Sequence, residues 1–246
     1  MIEDFNYNYG RDINADGDWR ALYIKEFESI VSADSYPCIY VKQAYQKGHL
    51  SFHFIDDPDN DRQRTDAFIA LQKYTQRTLA IKNKRIVAMK IILFIIKVDA
   101  IEKGHEQTAW ELLRAFLDMD PCPWSKEYPD NPEDARWAYC FAGQRFFVNI
   151  SSPEHTLRKS RNLGRHLVLV MQLRDGIDYI APANKQGDAI RELIRKRIAD
   201  YDLVPVSTHL ATHSQGENRD WRQFWLGNGD AKQKNYCPLK SMHEEK

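Results

Sequence analysis

The sequence has no excess of charge of either sign. Its 246 residues contain 35 Lys plus Arg and 35 Asp plus Glu, so the formal net charge at pH 7 is zero. General attraction to nucleic acid or to an anionic membrane surface depends on a cationic excess, so neither is expected. No nucleic-acid-reading motif is recognisable, and we predict no nucleic-acid partner.

Cysteine is scarce and long apolar runs are missing. The four cysteines include no CxxC pair, so zinc-finger spacing is absent and nothing indicates a disulfide framework. They are Cys38, Cys122, Cys140 and Cys237. The most apolar run, Ile86 to Val98, contains two lysines and is too short to span a bilayer.

The first ten residues are acidic and polar. They lack the basic region and the apolar region of a secretory signal. Together with the lack of any CxxC pair, this predicts a cytoplasmic protein with reduced thiols and no membrane association. Aromatic residues are abundant at 12%, and a chain of this length can bury a substantial core.

Hydrophobic spacing predicts helices and strands intermixed along one domain spanning residues 1–246. Apolar residues at helical spacing predict helices over 18–31, from the polar break at 56–61 to about 81, about 109–118 and about 190–201. Short apolar runs predict strands over 37–41, 50–55, 86–98, 137–141, 145–150 and 166–173.

Two hairpins follow from the turn residues, one at Gly48 and one at Ala142-Gly143, and the Pro-rich stretch 121–132 is predicted to be a loop. Because hairpins outnumber crossover units, we predict an α+β fold with a largely antiparallel sheet covered by helices.

The central segment concentrates residues that can bind metals and anions. Ser152 to Glu154 is typical of a helix start and Gly164 of a helix end, which predicts a short helix carrying His155, Arg158 and Arg161. A first-turn histidine feels the positive end of the helix dipole, which favours the neutral imidazole that can coordinate a metal. Arginines one turn away can bind carboxylates or phosphates. From spacing alone, however, a solvated basic surface helix is the preferred interpretation.

Other residues compete for a ligand role. His209 and His213 have the i, i+4 spacing of a metal pair, but their segment has weak helical periodicity and favours a surface loop. Cys122-Pro123 and Cys237-Pro238 could furnish a thiolate, although Pro beside Cys more often shapes a turn. A guanidinium substrate would need carboxylates, and acidic loop residues near Trp124 and Trp221 are candidates, though such residues are usually solvated turn formers. They are Glu127, Asp130, Glu133, Asp134, Glu217 and Asp220.

Several motifs together resemble the YqcI/YcgG family from about Pro37 to Pro238. The stretch Trp137 to Gly164 is the specific part of the resemblance. The motifs are Pro37-Cys38, Pro121 to Trp124, Trp137-Ala-Tyr-Cys-Phe-Ala-Gly143, Phe146-Phe-Val-Asn149, Ser152-Pro-Glu-His155 with Arg158 and Ser160-Arg161, Asp220-Trp-Arg-Gln-Phe224 and Cys237-Pro238.

The resemblance implies a haem-dependent N-oxygenase that hydroxylates a guanidine or amine nitrogen of arginine or an arginine-like amino acid. It implies haem b bound through a histidine, for which His155 is the candidate iron ligand, with Arg158 and Arg161 as propionate partners or as binders of a substrate carboxylate. Oxygen would come from dioxygen plus an unidentified electron donor, or from a peroxide. The oligomeric state is open, with a homodimer as one option.

Two further classes of function remain open at this point. One is a haem-binding or small-anion-binding protein without turnover, such as a sensor. The other is a haem-free protein whose arginines recognise a phosphate or carboxylate ligand.

Overall fold

The computed structural model describes residues 17–230 and 234–239. The polar first ten residues, from which the absence of a secretory signal is predicted, lie outside the described residues. Seven α-helices are present in the described part of the chain. They are α1 (Trp19–Ser32), α2 (Ile39–Gln46), α3 (Asp61–Leu79), α4 (Lys84–Val87), α5 (His105–Met119), α6 (Arg174–Ile180) and α7 (Lys185–Tyr201).

Five strands form one sheet in the order β1-β2-β5-β4-β3. They are β1 (Leu50–Ile55), β2 (Ile91–Ile96), β3 (Tyr139–Phe141), β4 (Gln144–Ser151) and β5 (Leu167–Leu173). Only β1 and β2 run parallel, in a register that pairs Leu50 with Ile91, and α3 lies in the connection between them. The other three pairings are antiparallel. The predicted α+β fold with a mainly antiparallel sheet is therefore confirmed.

The sheet separates two hydrophobic clusters. Alternate residues of a strand point to opposite faces, so Ile92, Phe94 and Ile96 of β2 pack with α3 and α5. The intervening residues of β2, from Ile91 to Ile95, pack with α1 and α2. Every residue of β2 is buried, which explains why it is a continuous apolar run.

Capping residues set the starts of several helices. Asp18 accepts a hydrogen bond from the backbone N–H of Arg20 at 2.9 Å at the start of α1. Asn60 accepts one from Gln63 at the start of α3, at 3.1 Å. These helices begin where the sequence predicted them, because short polar side chains satisfy backbone donors that have no partner inside the helix.

Four predictions of local structure are wrong. The predicted strand 37–41 is the start of α2, because Val41 and Ala44 are buried on one face of a helix. Gly48 ends that helix with φ +65° rather than turning a hairpin. The predicted strand 86–98 is shorter, since 84–87 is helical and only Ile91–Ile96 pairs.

The fourth error lies in the central segment. No α-helix forms between Ser152 and Gly164; the chain makes turns and a 3-10 helix, Lys159–Arg161. The carbonyl of Arg161 accepts a hydrogen bond from Ser152 N–H at 2.9 Å, so the segment folds back on itself.

Within the described residues, no helix combines the length and hydropathy that a membrane crossing requires.

Candidate active-site cavity

A cavity of about 300 Å³ lies on the α2 side of the sheet. Its floor comes from β2, β4 and β5, and its walls come from α2, α6, α7 and the loop around residues 210–213. Most lining side chains are apolar. The charged or titratable exceptions include Arg161, Arg174, Arg191, Arg195, Asp178 and His213. Its volume is at the lower end of the roughly 300–1,000 Å³ that is usual for small-molecule sites.

His155 is buried, with 1% of its surface exposed. Its Nδ1 lies 2.8 Å from the carbonyl oxygen of Arg161. A carbonyl only accepts, so Nδ1 carries the proton and Nε2 keeps its lone pair. Nε2 is buried and has no hydrogen-bond partner among the described residues. Its ring lies against Trp225, with centroids 4.4 Å apart.

The imidazole of His155 is held neutral mainly by burial. Its pKa is lowered to about 4; burial is the largest cause, the hydrogen bond to the carbonyl of Arg161 opposes it, and the charges of Arg161 and Arg158 act in the same direction as burial. The sequence predicted a neutral imidazole from a helix dipole. The structure also favours the neutral form, but through burial, because the helix does not form.

Arg158 is also buried, with each nitrogen of its guanidinium donating to the surrounding loops. Nε donates to the carbonyl of Gly227 at 2.7 Å and Nη1 to that of Pro205 at 3.1 Å. Nη2 lies 3.1 Å from Asp230 Oδ1. Arg158 therefore joins two distant loops to the central segment.

Arg161 lies in the cavity wall, with 5% of its surface exposed. Its Nη1 lies 3.5 Å from the carbonyl oxygen of Phe224, at the outer limit of a hydrogen bond. No carboxylate among the described residues forms an ion pair with it. Its pKa is lowered to about 10; burial is the largest cause, the charge of Arg158 acts in the same direction, and Tyr36 and Asp202 oppose it. A buried cation without an ion pair is costly, so an anionic ligand bound here would offset part of that cost.

The other arginines of the cavity wall already have strong partners. Arg191 donates to the carbonyls of Ala181 and Pro182 at 2.7 and 3.0 Å. Arg195 donates twice to the carbonyl of Leu210, at 2.8 and 3.2 Å. Arg174 contacts the carboxylates of Asp178 and Asp220.

Arg174 belongs to a buried charge network at one part of the cavity wall. Its Nη1 lies 3.2 Å from Asp220 Oδ1, and its Nε lies 3.3 Å from Asp178 Oδ1. His213 Nδ1 lies 3.6 Å from Asp220 Oδ1, and its Nε2 lies 3.4 Å from Arg145 Nη1. Asp220, 1% exposed, is thus a buried ion-pair partner, not the solvated loop acid that its sequence context favours.

The structure brings together only some of the residues that the sequence predicted. Arg161 lines the cavity, whereas His155 and Arg158 are not among its lining residues. His209 and His213 lie in a loop without a helix, as predicted, but His213 is buried. No group of three or more metal-ligating side chains occurs in the described part of the chain.

Sequence reasoning missed the contribution of α6 and α7. Arg174, Asp178 and the α7 arginines lie in the cavity wall, yet their local sequence reads as ordinary surface helix. No motif marks them, since their role arises only when α7 packs over the sheet.

The fold and the cavity define an α+β protein with a concave candidate site, whose wall contains one buried arginine that forms no ion pair with the described residues. The chain belongs to the YqcI/YcgG family, whose model matches residues 27–240. No solved structure matches the chain.

Three relatives cover most of the chain. One from Streptomyces lavendulae is named "Putative N(omega)-hydroxy-L-arginine synthase DcsA"; it is 28% identical over 94% of this chain and 86% of the relative. Two are uncharacterized proteins of Bacillus subtilis (strain 168). YqcI is 29% identical over 85% of this chain and 82% of its own length. YcgG is 29% identical over 85% and 84%.

Proposed function

We propose that this protein hydroxylates a guanidine nitrogen of arginine or of an arginine-like amino acid, using haem b as cofactor. The name of the relative DcsA supports the reaction and the substrate class. The observation that carries the proposal is Arg161, a buried cation without an ion pair in the wall of an otherwise largely apolar cavity. Such a site favours a ligand that combines a carboxylate with apolar surface.

Haem b enters the proposal through the donor chemistry of His155. A haem-ligating histidine needs a lone pair on one ring nitrogen and a fixed proton on the other. His155 has both, because Nδ1–H donates to the carbonyl of Arg161 and Nε2 is buried without a partner. We therefore propose His155 as the iron ligand. When bound, haem would supply the activation of oxygen taken from dioxygen plus an electron donor, or from a peroxide.

The two arginines of the central segment fit this site differently. Arg158 has its nitrogens engaged by loop carbonyls and Asp230, so its role in the proposal is to hold the segment in place. Arg161 has an available guanidinium and can bind a carboxylate. The protein itself would bind and orient the substrate, and the mainly apolar lining of the cavity would limit the access of water to it.

An absorption spectrum tests the cofactor. Protein purified from cells supplied with a haem precursor is expected to show a Soret band that shifts when imidazole is added. His155→Ala is expected to lose that band. His49→Ala is the matched control, because His49 directly precedes β1, three strands away from β4 in the sheet order, and it should retain the native spectrum.

A second variant separates two positions for the iron. His213 lines the cavity whereas His155 does not, so His213→Ala belongs in the same experiment. An unchanged Soret band in His155→Ala together with its loss in His213→Ala would refute the ligand assignment and move the iron into the cavity wall.

Product analysis tests the reaction. Incubation with arginine and either peroxide or dioxygen plus a reductant is expected to yield a product heavier by one oxygen atom in mass spectrometry. A coloured protein that gives no product under either condition would be a haem-binding protein without turnover. A colourless protein would support an anion-binding function instead.

A further inference from the structure

We infer that Arg161 recognises the α-carboxylate of the amino-acid substrate, and that it is not a propionate partner. This inference rests on the proposed function, because it names the substrate group that the cavity selects. It makes Arg161 the residue that distinguishes an amino acid from the corresponding amine.

The number of cavity arginines without strong partners supports a role for Arg161 in carboxylate recognition. Four arginines line the cavity, and three have strong partners: Arg191 and Arg195 donate to carbonyls, and Arg174 contacts two carboxylates. Arg161 has a single contact, at 3.5 Å. One available cation matches one carboxylate. Haem carries two propionates, and the cavity wall has no second arginine in the same state among the described residues.

The volume of the cavity also supports substrate recognition by Arg161. A cavity of about 300 Å³ is at the lower end of the usual range for small-molecule sites. That volume suits an amino acid, whereas a haem held by His155 would lie outside the cavity, since His155 does not line it. Apolar side chains from α2, β2 and β5 can cover the methylene groups of an arginine-like substrate, because hydrocarbon is favourably transferred from water to such surroundings.

The cavity is lined by both cationic and anionic side chains. Asp178 on α6 lines it and is 40% exposed, between Arg174 and Arg145. Among the described residues that line the cavity, it is the one with a carboxylate side chain. A zwitterionic substrate with a cationic side chain requires a cation for its carboxylate and an acid for its guanidinium. Arg161 would provide the cation, and Asp178, which already pairs with Arg174 and Arg145, would share its partly exposed carboxylate with the guanidinium.

The position of Arg161 also explains how substrate binding would connect with the proposed iron ligand. The guanidinium lines the cavity, while the carbonyl of the same residue accepts the Nδ1 proton of His155. A side-chain substitution leaves that carbonyl in place. Changing the side chain therefore tests carboxylate recognition without removing the hydrogen bond to His155.

Calorimetric titration with L-arginine and with agmatine, which is arginine without its α-carboxylate, tests the inference. The protein used is the one purified from cells supplied with a haem precursor, as wild type, Arg161→Gln and Arg161→Lys. We expect wild type to prefer arginine. Arg161→Gln should weaken arginine binding by about 10- to 100-fold, as expected for loss of a charge-assisted hydrogen bond. Agmatine binding should change less than about twofold.

Two controls make the result specific. Arg161→Lys keeps the charge without the planar fork and should restore part of the preference for arginine. Haem content, read from the Soret band, should be the same in Arg161→Gln as in wild type, because the inference assigns no propionate to this residue.

Three outcomes would overturn the inference: equal loss of arginine and agmatine binding in Arg161→Gln, no preference for arginine in wild type, or a loss of haem in Arg161→Gln with the preference for arginine intact. The last would identify a propionate partner. Failure of the proposed function is separable, because a protein that selects arginine through Arg161 but forms no hydroxylated product refutes only the reaction.

Discussion

Two arginines three residues apart show how differently the same side chain can be used. Arg158 donates to two carbonyls and Asp230 and is thereby a structural cross-link. Arg161 is buried to a similar degree but has one contact at 3.5 Å. Burying a charge without a partner is destabilising, so Arg161 is better explained by binding than by folding. The sequence grouped the two residues; their contacts separate them.

Burial of histidine should make folding stability depend on pH, and His53 on β1 is the clearest test. It is 3% exposed, and burial lowers its pKa to about 4, partly opposed by Asp66. An unfolded histidine titrates near 6.5, so below that pH the unfolded chain takes up a proton that the native state refuses. Stability is therefore complete above pH 6.5 and falls as the pH decreases towards 4.

We expect this residue to contribute a loss of up to about 3 kcal/mol in the free energy of unfolding between pH 7 and pH 4. His53→Gln should show a shallower decline, by up to that amount. Urea titrations at pH 7, 5.5 and 4 measure it. If the two proteins lose stability in parallel, His53 is not a source of the dependence.

At the scale of elements, α7 is attached to the domain largely through polar contacts. Gly187 is its one fully buried residue. Its arginines instead donate to carbonyls of three segments: Arg191 to residues 181–182, Arg195 to Leu210, and Arg197 to residues 34–37. Since α7 forms one wall of the cavity, these bonds determine the shape of the candidate site.

Gly187→Ala should disturb this wall. A Cβ at position 187 would lie 1.8 Å from the carbonyl oxygen of Pro182, so the start of α7 or residues 181–182 must move. Overpacking of this kind costs about 1–3 kcal/mol, which lowers Tm by roughly 2–12 °C in a chain of this size. Arginine affinity should fall as well.

Differential scanning calorimetry and the arginine titration measure the effects of Gly187→Ala. Gly229→Ala is the control, because a Cβ there meets nothing within 4 Å and should leave both quantities unchanged. An unaltered Tm in Gly187→Ala would mean that α7 does not need its close approach to residue 182.

Elements that depend on local sequence signals were predictable, whereas elements that depend on tertiary contacts were not. Helices α1 and α3 follow from their spacing and caps, and β1 and β5 follow from apolar runs. The predictions fail where local signals point the wrong way. Val41 has a strand-like side chain but is buried on one face of a helix. Ser152 to Gly164 has helix signals at both ends, yet Arg158 and the carbonyl of Arg161 make tertiary contacts that a helix would not permit.

The candidate site was predictable only in part for the same reason. Arg161 was named from its motif and lies in the cavity wall. Arg174, Asp178 and His213 were not assigned to a common site, because their convergence depends on how α6, α7 and the loop at 210–213 cover the sheet. His155 as iron ligand stays a prediction, supported by its unpartnered Nε2.

At the scale of the molecule, one sheet connects both hydrophobic clusters. The strand β2 contributes alternate residues to each cluster, and β5 does the same, with Leu167, Leu169 and Met171 on one face and Val168 on the other. Neither cluster can lose its strand contacts without exposing the other face of the same strands. We therefore expect the two clusters to unfold together, as single domains usually do.

The distribution of tryptophan allows this expectation to be tested. Five of the six tryptophans belong to or pack against the hydrophobic cluster between the sheet and helices α3 and α5, here called the α3–α5 cluster. Trp19 packs against the cluster on the other face, with α1 and α2, here called the α1–α2 cluster. Fluorescence thus reports mainly one face, while far-ultraviolet circular dichroism reports helices on both. Urea unfolding followed by the two signals should give coincident midpoints. A second transition seen only by circular dichroism would show that α1, α2 and α7 leave the sheet first, in which case the cavity would open while the α3–α5 cluster remains folded.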